Sequence, residues 1–379
     1  MPPMTLTPDR SSFCGDRLRV ARVFNGLSQA ELGARIEVTH ASISQVENGL
    51  RFPSDTVVER LSATLGFAPG FFFSPVKSEF REEECHFRRR KTAPVTVRSR
   101  VLSTGTLFVE LLDVLERSVN LPAYNVPTIR AGAPEEIEVA AEKVRQLWGL
   151  GTNAPIKNVA RALERAGIVI ARFEASAGKI DAFSRHGARG IIVLNTDKES
   201  ISRARFDKSH EAAHLVLHAG LDHSEEQESQ ADRFASAFLM PRRAFAAEFP
   251  RFTGPVRLES LIPLKERWRA SIAAMVRRAH DLRLISAAQY QAAYKQYSAR
   301  GWARAGEPAE PPDEAPEVVP LAFSVLEQQG VSKAEVLRKL AWTPRILSRV
   351  APDVLPPEEP EGGNIIPFPQ IKTRRRIRP

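Results

Sequence analysis

The chain has 379 residues, 43% of them hydrophobic and 26% charged, with 54 Lys+Arg against 45 Asp+Glu for a formal net charge of +9. That apolar share supports real cores and excludes a disordered class, and no stretch of eighteen apolar residues or signal-peptide core occurs, so a cytoplasmic, non-membrane protein is expected. The positive balance favours an acidic partner such as DNA, and the two cysteines, Cys14 and Cys85, read as reduced thiols.

From Asp16 the pattern is helical. Leu18, Val20, Ala21 and Phe24 form a first stripe that Gly26 ends. Ser28 with Glu31 three residues on makes a capping box for a second helix carrying Leu32 and Ile36. Thr39 caps a third, "HASISQVENG", with Ile43 and Val46 inward and Gly49 as the stop. Ser54 or Asp55 starts a fourth, with Val57, Val58, Leu61 and Leu65 inside. Two short helices joined by a tight turn in a helical bundle suit the major groove of double-stranded DNA. His40, Ser42 and Gln45 offer short polar side chains there, and Gln29 opens the second helix, where its amide can reach a phosphate.

"LSQAELG", "ASISQVENG" and "PSDTVVERLSATLG" resemble the repressor-type (XRE/Cro/C1) helix-turn-helix of phage repressors and xenobiotic-response-element regulators. The resemblance implies sequence-specific DNA binding, usually as a homodimer. It places Gln29 near the backbone and His40, Ala41, Ser42 and Gln45 near base edges. The sequence departs from that pattern at Glu37, where glycine is common in the turn.

Downstream, "FFFSPVKSEF" is an aromatic junction read as packing on the fourth helix. A basic run (Arg88, Arg89, Arg90, Lys91, Arg98, Arg100) could extend phosphate contacts. Helices are expected at 107–117 and 134–148, and a cap at 152–155 leads into "IKNVARALERAG". "GIVIARFEA" and "RGIIVLNT" read as strands, with "FSRHGA" between them as a turn.

The chemistry concentrates after these strands. His210 and His214 lie one helical turn apart, within reach of one ion, and Glu211 between them is placed as a general base. A second helix beginning near Glu225 carries Glu228 and Asp232 four apart. Glu228 can complete a His-His-Glu site. Asp232 can accept a hydrogen bond from a ligand imidazole and fix its tautomer. His218 lies a further turn along, suited to capping or packing, and His223 falls in the loop. His218, His186 or a residue of the C-terminal third is a candidate oxyanion donor.

The spacing HExxH followed by ExxxD is that of thermolysin-like zinc peptidases. With the strand ending "IIVLN", the Arg205–Phe206 pair and "ADRFASAFLMP", residues 156–241 resemble the ImmA/IrrE family of metallopeptidases. That family often joins this domain to a helix-turn-helix through a basic linker. The resemblance implies Zn²⁺ and proteolysis of a partner repressor, relieving repression of phage, mobile-element or stress genes. Ala212 and Ala213 depart from the usual larger residue and glycine, and "DKS" before His210 from the commoner threonine-x-alanine.

In the last third, Leu261, Leu264, Trp268, Ile272 and Met275 form a helical stripe that extends the core, with a break near Asp281. Arg277, Arg278 and His280 could instead face DNA or substrate. "EPAEPPDEAPEVVP" reads as an extended, exposed spacer, followed by two short helices with a cap at Ser332.

The expected architecture is multidomain and mainly α. It runs as a flexible N-terminus (1–15), a helix-turn-helix bundle (16–73), a basic linker and helical region (74–150), and an α+β zincin-like metallopeptidase core with a small sheet (151–250). A helical extension (251–304), an acidic proline-rich spacer (305–320), a small helical lobe (321–356) and a basic tail (357–379) follow. The expected function is a DNA-binding regulator with zinc-dependent endopeptidase activity. The alternative is a transcription factor whose peptidase-like domain senses a ligand or metal without turnover, and the intact Glu211 favours the first.

Overall fold

This computed structural model describes residues 12–77, 80, 85–87, 94–173, 182–195, 200–221 and 224–354. The N-terminus to residue 11, the basic run at 88–91, His223 and the basic tail lie outside the described residues. The architecture is multidomain and mainly α, with one small mixed sheet. Among the described residues, no helix is long and apolar enough to cross a membrane.

The first four helices are α1 (Gly15–Phe24), α2 (Gln29–Arg35), α3 (His40–Glu47) and α4 (Asp55–Leu65). The starts of α2, α3 and α4 are set by side-chain caps. Ser28 Oγ accepts from Glu31 N at 3.1 Å while Ser28 N donates to the Glu31 carboxylate at 2.7 Å. Thr39 and Ser54 accept from Ser42 N and Val57 N in the same way. Each cap satisfies an amide that the first helical turn leaves unpaired. Leu18, Phe24, Leu32, Ile43, Leu61 and Leu65 close the core between the four helices. The turn from α2 to α3 takes left-handed backbone at Glu37 (φ 58°), the conformation for which glycine is the usual residue. The Glu37 carboxylate turns to Arg60 at 2.9 Å.

Helix α5 (Val95–Glu116) is twice the length read from the sequence. It runs through Ser103, Thr104, Gly105 and Thr106, upstream of the helix expected at 107–117. All four are buried in the helix. Thr104 and Thr106 donate to the carbonyls of Arg100 and Leu102, and a Cβ on Gly105 would lie 2.9 Å from the Phe80 ring. Small residues are required where Phe80 presses on the helix. Next come α6 (Pro134–Leu147) and α7 (Val159–Arg165). The cap of α7 is Asn158, whose Oδ1 accepts from Arg161 N at 2.9 Å, and not the 152–155 stretch.

The strands are β1 (Cys85–Phe87), β2 (Val169–Phe173), β3 (Ala182–Arg185) and β4 (Ile191–Asn195), in the order β1-β3-β4-β2. β2 and β4 are parallel, and β3 is antiparallel to both β4 and β1. β3 occupies the segment expected as a turn. Four residues, Ala-Phe-Ser-Arg, carry too little alternation to be read as a strand, and pairing with β4 makes them one. The sheet separates two apolar cores. Val169, Ala171, Phe173, Phe183, Ile191 and Val193 pack into the same core as α1, α4 and α5. Their alternating neighbours Ile168, Ile170, Ile192 and Leu194 enter the other core. Successive strand side chains point to opposite faces, so both faces are buried at once.

The second core is built on α8 (Ile201–Leu217), α9 (Glu225–Leu239), α10 (Arg242–Glu248), α11 (Ile262–Trp268), α12 (Ile272–Asp281), α13 (Ala287–Ala299) and α14 (Trp302–Ala305). Trp268, Ile272 and Met275 are fully buried, as the stripe implied. Arg278 is not available to DNA or substrate: it is buried, clasped by both Glu138 carboxylate oxygens and the Met240 carbonyl.

The acidic proline-rich segment is a strap against the second core, a correction to the exposed spacer expected from composition. Glu307 accepts from Lys265, Ile272 N, Ala273 N and Tyr297. Glu310 accepts from Lys265 and from Ser202 N and Oγ. Glu314 is buried, pairing with Arg205, accepting from Val159 N at 3.0 Å and lying 3.6 Å from Lys208 Nζ. Burial pushes Arg205 down to about 9 and Lys208 down to about 8. Local composition gave no sign that these acids meet buried cations from distant helices.

The strap leads into α15 (Val318–Gln328), α16 (Lys333–Leu340) and α17 (Pro344–Val350), three helices where two were expected. They close over the helix-turn-helix bundle. Phe67 bridges Trp342, Thr343 Oγ1 donates to the Gly66 carbonyl at 2.6 Å, and Arg349 reaches the Phe24 carbonyl at the end of α1. A cation suits that helix terminus.

Two outcomes test the strap. Glu314→Ala leaves Arg205 and Lys208 buried without their carboxylate and is expected to lower stability by about 3–5 kcal/mol in urea unfolding. Glu314→Gln, which keeps an acceptor for Val159 N, should lose less. Glu164 receives the strap's end through Glu317 N and Val318 N. Burial pushes its carboxyl up to about 7, against the pull of those amides. A folded value above the unfolded one means stability is full below about pH 4.5 and is lost as pH rises to about 7. Glu164→Gln should remove that loss, on the order of 3 kcal/mol, so unfolding midpoints of variant and wild type diverge between pH 5 and pH 7.5.

Candidate metal centre and nucleic-acid interface

Helix α8 begins at a Ser200 cap, and α9 at a Ser224–Gln227 capping box. The two helices pack closely, with Ala212, Ala213, Ala231 and Ala235 all fully buried. This packing brings together four residues that the sequence singled out. His210 Nε2 and His214 Nε2 are 3.1 Å apart, and the two oxygens of Glu228 lie 3.4 Å from one and the other. Among the described residues, these three form the group of side chains able to hold a metal ion, with ligand atoms within 4.8 Å of one another. Burial pushes the Glu228 carboxyl up, but contacts with His210 and His214 reverse this and hold it well below the usual carboxylate range.

Asp232 sits behind the first imidazole, its Oδ1 2.8 Å from His210 Nδ1. A carboxylate there takes the ring proton on Nδ1 and leaves the lone pair on Nε2. Two ring nitrogens and a carboxylate converging at these separations repel one another unless a proton or a cation lies among them. The donor set therefore fits a cation, and two neutral nitrogens with one carboxylate suit Zn²⁺.

Glu211 is buried between α8 and the sheet. Burial pushes its carboxyl up to about 7, with His210 and Ser184 of β3 pulling the other way. Its Oε2 is buried with no hydrogen-bond partner among the described residues. A carboxylate poised near neutral pH beside the convergent group is suited to accept and return a proton.

His186 and His218 are engaged. His186 Nε2 contacts the His214 carbonyl at 3.2 Å. His218 Nδ1 lies 2.9 Å from His214 Nδ1, and its Nε2 lies 2.9 Å from Gln230 Oε1. Gln230 escaped the sequence reading because "EEQESQAD" gives no reason to separate one glutamine from its neighbours. A cleft of about 1170 Å³ opens beside Glu228 and Asp232, walled by Phe206, Tyr294, Tyr297, Trp302 and Arg277. Phe206 belongs to α8, and the rest of that wall comes from α12 to α14, whose sequences carry no motif.

The second candidate region is α3. His40, Ala41 and Gln45 are exposed and Ser42 is half-buried, so these residues share its outer side. Gln29 is held differently from expectation, donating to Glu47 at 2.6 Å. The same buried carboxylate accepts from Arg22 at 2.6 and 2.9 Å. Gln29 thereby ties the start of α2 to the end of α3. Beyond Gly49, Leu50 and Phe52 are exposed apolar residues, at 78% and 47%. Arg98 and Arg100, the described part of the basic run, are half-buried on α5.

Residues 163–280 match the family model of the IrrE N-terminal-like domain, Peptidase_M78. Residues 14–70 match that of a helix-turn-helix domain. The first match runs past 241, where the resemblance read from the sequence ended, and takes in α10, α11 and nearly all of α12. The second covers all four helices of the bundle. No curated protein matches the chain.

Proposed function

We propose that the protein is a DNA-binding transcriptional regulator that also hydrolyses a peptide bond in a partner repressor, with Zn²⁺ held by His210, His214 and Glu228. The observation that carries this reading is the convergence of those three side chains beside a buried, partnerless Glu211 oxygen. The matched peptidase family supports the reaction class, and the matched helix-turn-helix supports DNA as the other partner.

When bound, Zn²⁺ would act as a Lewis acid and lower the pKa of a water at the site. The chain's own residues do the rest. Asp232 holds the His210 ring, and Glu228 supplies the negative charge that offsets the ion. Glu211 takes one proton from the attacking water as its oxygen bonds to the scissile carbonyl carbon. It passes that proton to the nitrogen as the C–N bond breaks, leaving a carboxyl and an amine. The cleft beside Glu228 has room for several residues of an extended polypeptide, and its aromatic wall suits apolar side chains. His218 uses both ring nitrogens on protein partners, so it is not the donor to the developing oxyanion.

On the DNA side, His40, Ala41, Ser42 and Gln45 read base edges in the major groove. Gln29 orients α3 through Glu47 rather than reaching out alone. Binding as a homodimer, each copy reading one half-site, accords with this type of domain.

Three experiments test the proposal. Elemental analysis should find about one zinc per wild-type chain and little in His214→Ala; equal content would refute the ligand set. Glu211→Gln should keep zinc and DNA binding but lose roughly 10²–10⁴-fold in cleavage of the repressor encoded beside its gene. If that variant still switches the target genes normally, the peptidase-like domain acts as a sensor. For DNA, His40→Ala with Gln45→Ala should cost about 1–3 kcal/mol of discrimination per lost base contact. Stability should change by less than about 0.5 kcal/mol. Footprinting that finds no sequence preference in the wild type would refute base reading by α3.

A further inference from the structure

Asp232 explains why His210 presents Nε2, while a different side chain, His218, stands behind the His214 ring. We propose that His218 and Gln230 form an outer hydrogen-bonded chain that fixes the tautomer of His214 and positions it as a metal ligand, a role that rests on the metal reading above.

The argument starts at the far end of the chain. Gln230 Nε2 donates to Glu226 Oε1 at 3.2 Å. A carboxylate accepts only, so the Gln230 amide nitrogen must face it and the amide oxygen must face the other way. That oxygen lies 2.9 Å from His218 Nε2. An amide oxygen also accepts only, so Nε2 of His218 carries the proton. Its Nδ1 then holds a lone pair, 2.9 Å from His214 Nδ1. At that separation one of the two nitrogens must donate, and the assignment leaves only His214 Nδ1 to do so. His214 Nε2 is thereby left with its lone pair, aimed at His210 Nε2 and Glu228.

The inner links are short and sheltered, with His214 and His218 0% and 1% exposed, while the outer Gln230–Glu226 link is exposed at 3.2 Å. Two imidazoles are thus oriented by two different devices. A carboxylate sits behind His210, and a neutral imidazole backed by an amide sits behind His214. The spacing follows from helix geometry, since His210 and His214 lie on successive turns of α8, His218 is its C-cap one turn further on, and Gln230 lies between Glu228 and Asp232 on α9. A histidine kept only to fill space would need its ring volume and not its nitrogens.

The full-length, metal-free protein labelled with ¹⁵N-histidine tests this directly. Long-range ¹H–¹⁵N correlation should show His214 as the Nδ1–H tautomer in the wild type. His218→Phe keeps a ring and removes the acceptor. It should mix the His214 tautomers and weaken zinc, titrated against a chromophoric chelator, by roughly 10–100-fold. His218→Asn places an amide oxygen near the Nδ1 position and should restore both readings to within about threefold of wild type. Gln230→Leu, at a half-buried site on α9, should mix the His218 tautomers and weaken zinc by a smaller factor. The proposal is overturned if folded His218→Phe keeps the Nδ1–H tautomer and wild-type affinity. If that variant does not fold, unchanged tautomers and affinity in Gln230→Leu overturn it instead. A wild type that binds no zinc would refute the metal reading, while the tautomer of His214 would still judge the hydrogen-bonded chain.

Discussion

The two-faced sheet is the constraint on which the rest of the molecule depends. Its strands bury both sides, so every second residue belongs to a different core. One face seats α8 and α9 and thereby the candidate metal centre. The other seats α5 and the C-terminal lobe, and the helix-turn-helix bundle packs on α5 within the same apolar core. A one-residue slip in β2 or β4 would exchange the residues of the two cores and disrupt both units together.

Helix α8 is unusual for how much polarity it buries. Arg205, Asp207, Lys208, His210, Glu211 and His214 are all at or below 3% exposure. Buried charge is tolerated only with partners. The acidic strap supplies them for Arg205 and Lys208, and Asp232 and Glu228 of α9 supply them for the histidines. Glu211 Oε2 is buried with no hydrogen-bond partner among the described residues, at a place where a proton acceptor is useful. The strap also joins the two halves physically, since its last residues begin the helices that clasp α1 and α4.

The helix-turn-helix bundle uses a comparable economy. One buried carboxylate, Glu47, gathers Arg22 from α1 and Gln29 from α2 at the end of α3. The close approach of α1 to this end requires glycine at position 15, where a Cβ would lie 2.3 Å from the Glu47 carbonyl. The outer side of α3, with His40, Ala41 and Gln45 exposed, is left uncommitted to packing.

The sequence by itself determined what is local. Caps at Ser28, Thr39, Ser54 and Ser332 lie beside the amides they satisfy, and the starts of α2, α3, α4 and α16 follow from them. The His210–Glu211–His214 and Glu228–Asp232 spacings follow from the pitch of a helix. Only the tertiary structure decided what depends on partners distant in the chain. β3 is a strand because β4 pairs with it, not because Ala-Phe-Ser-Arg alternates. α5 runs through Ser-Thr-Gly-Thr because Phe80 needs the space. Glu314 is buried because Arg205, Lys208 and the Val159 amide converge on it from more than a hundred residues away. Gln230 matters because α9 lies against α8 at one angle and offset, which places its amide oxygen on His218. Periodicity and capping are written within a few residues of chain, whereas ion pairing, strand pairing and tautomer control are settled by which surfaces meet.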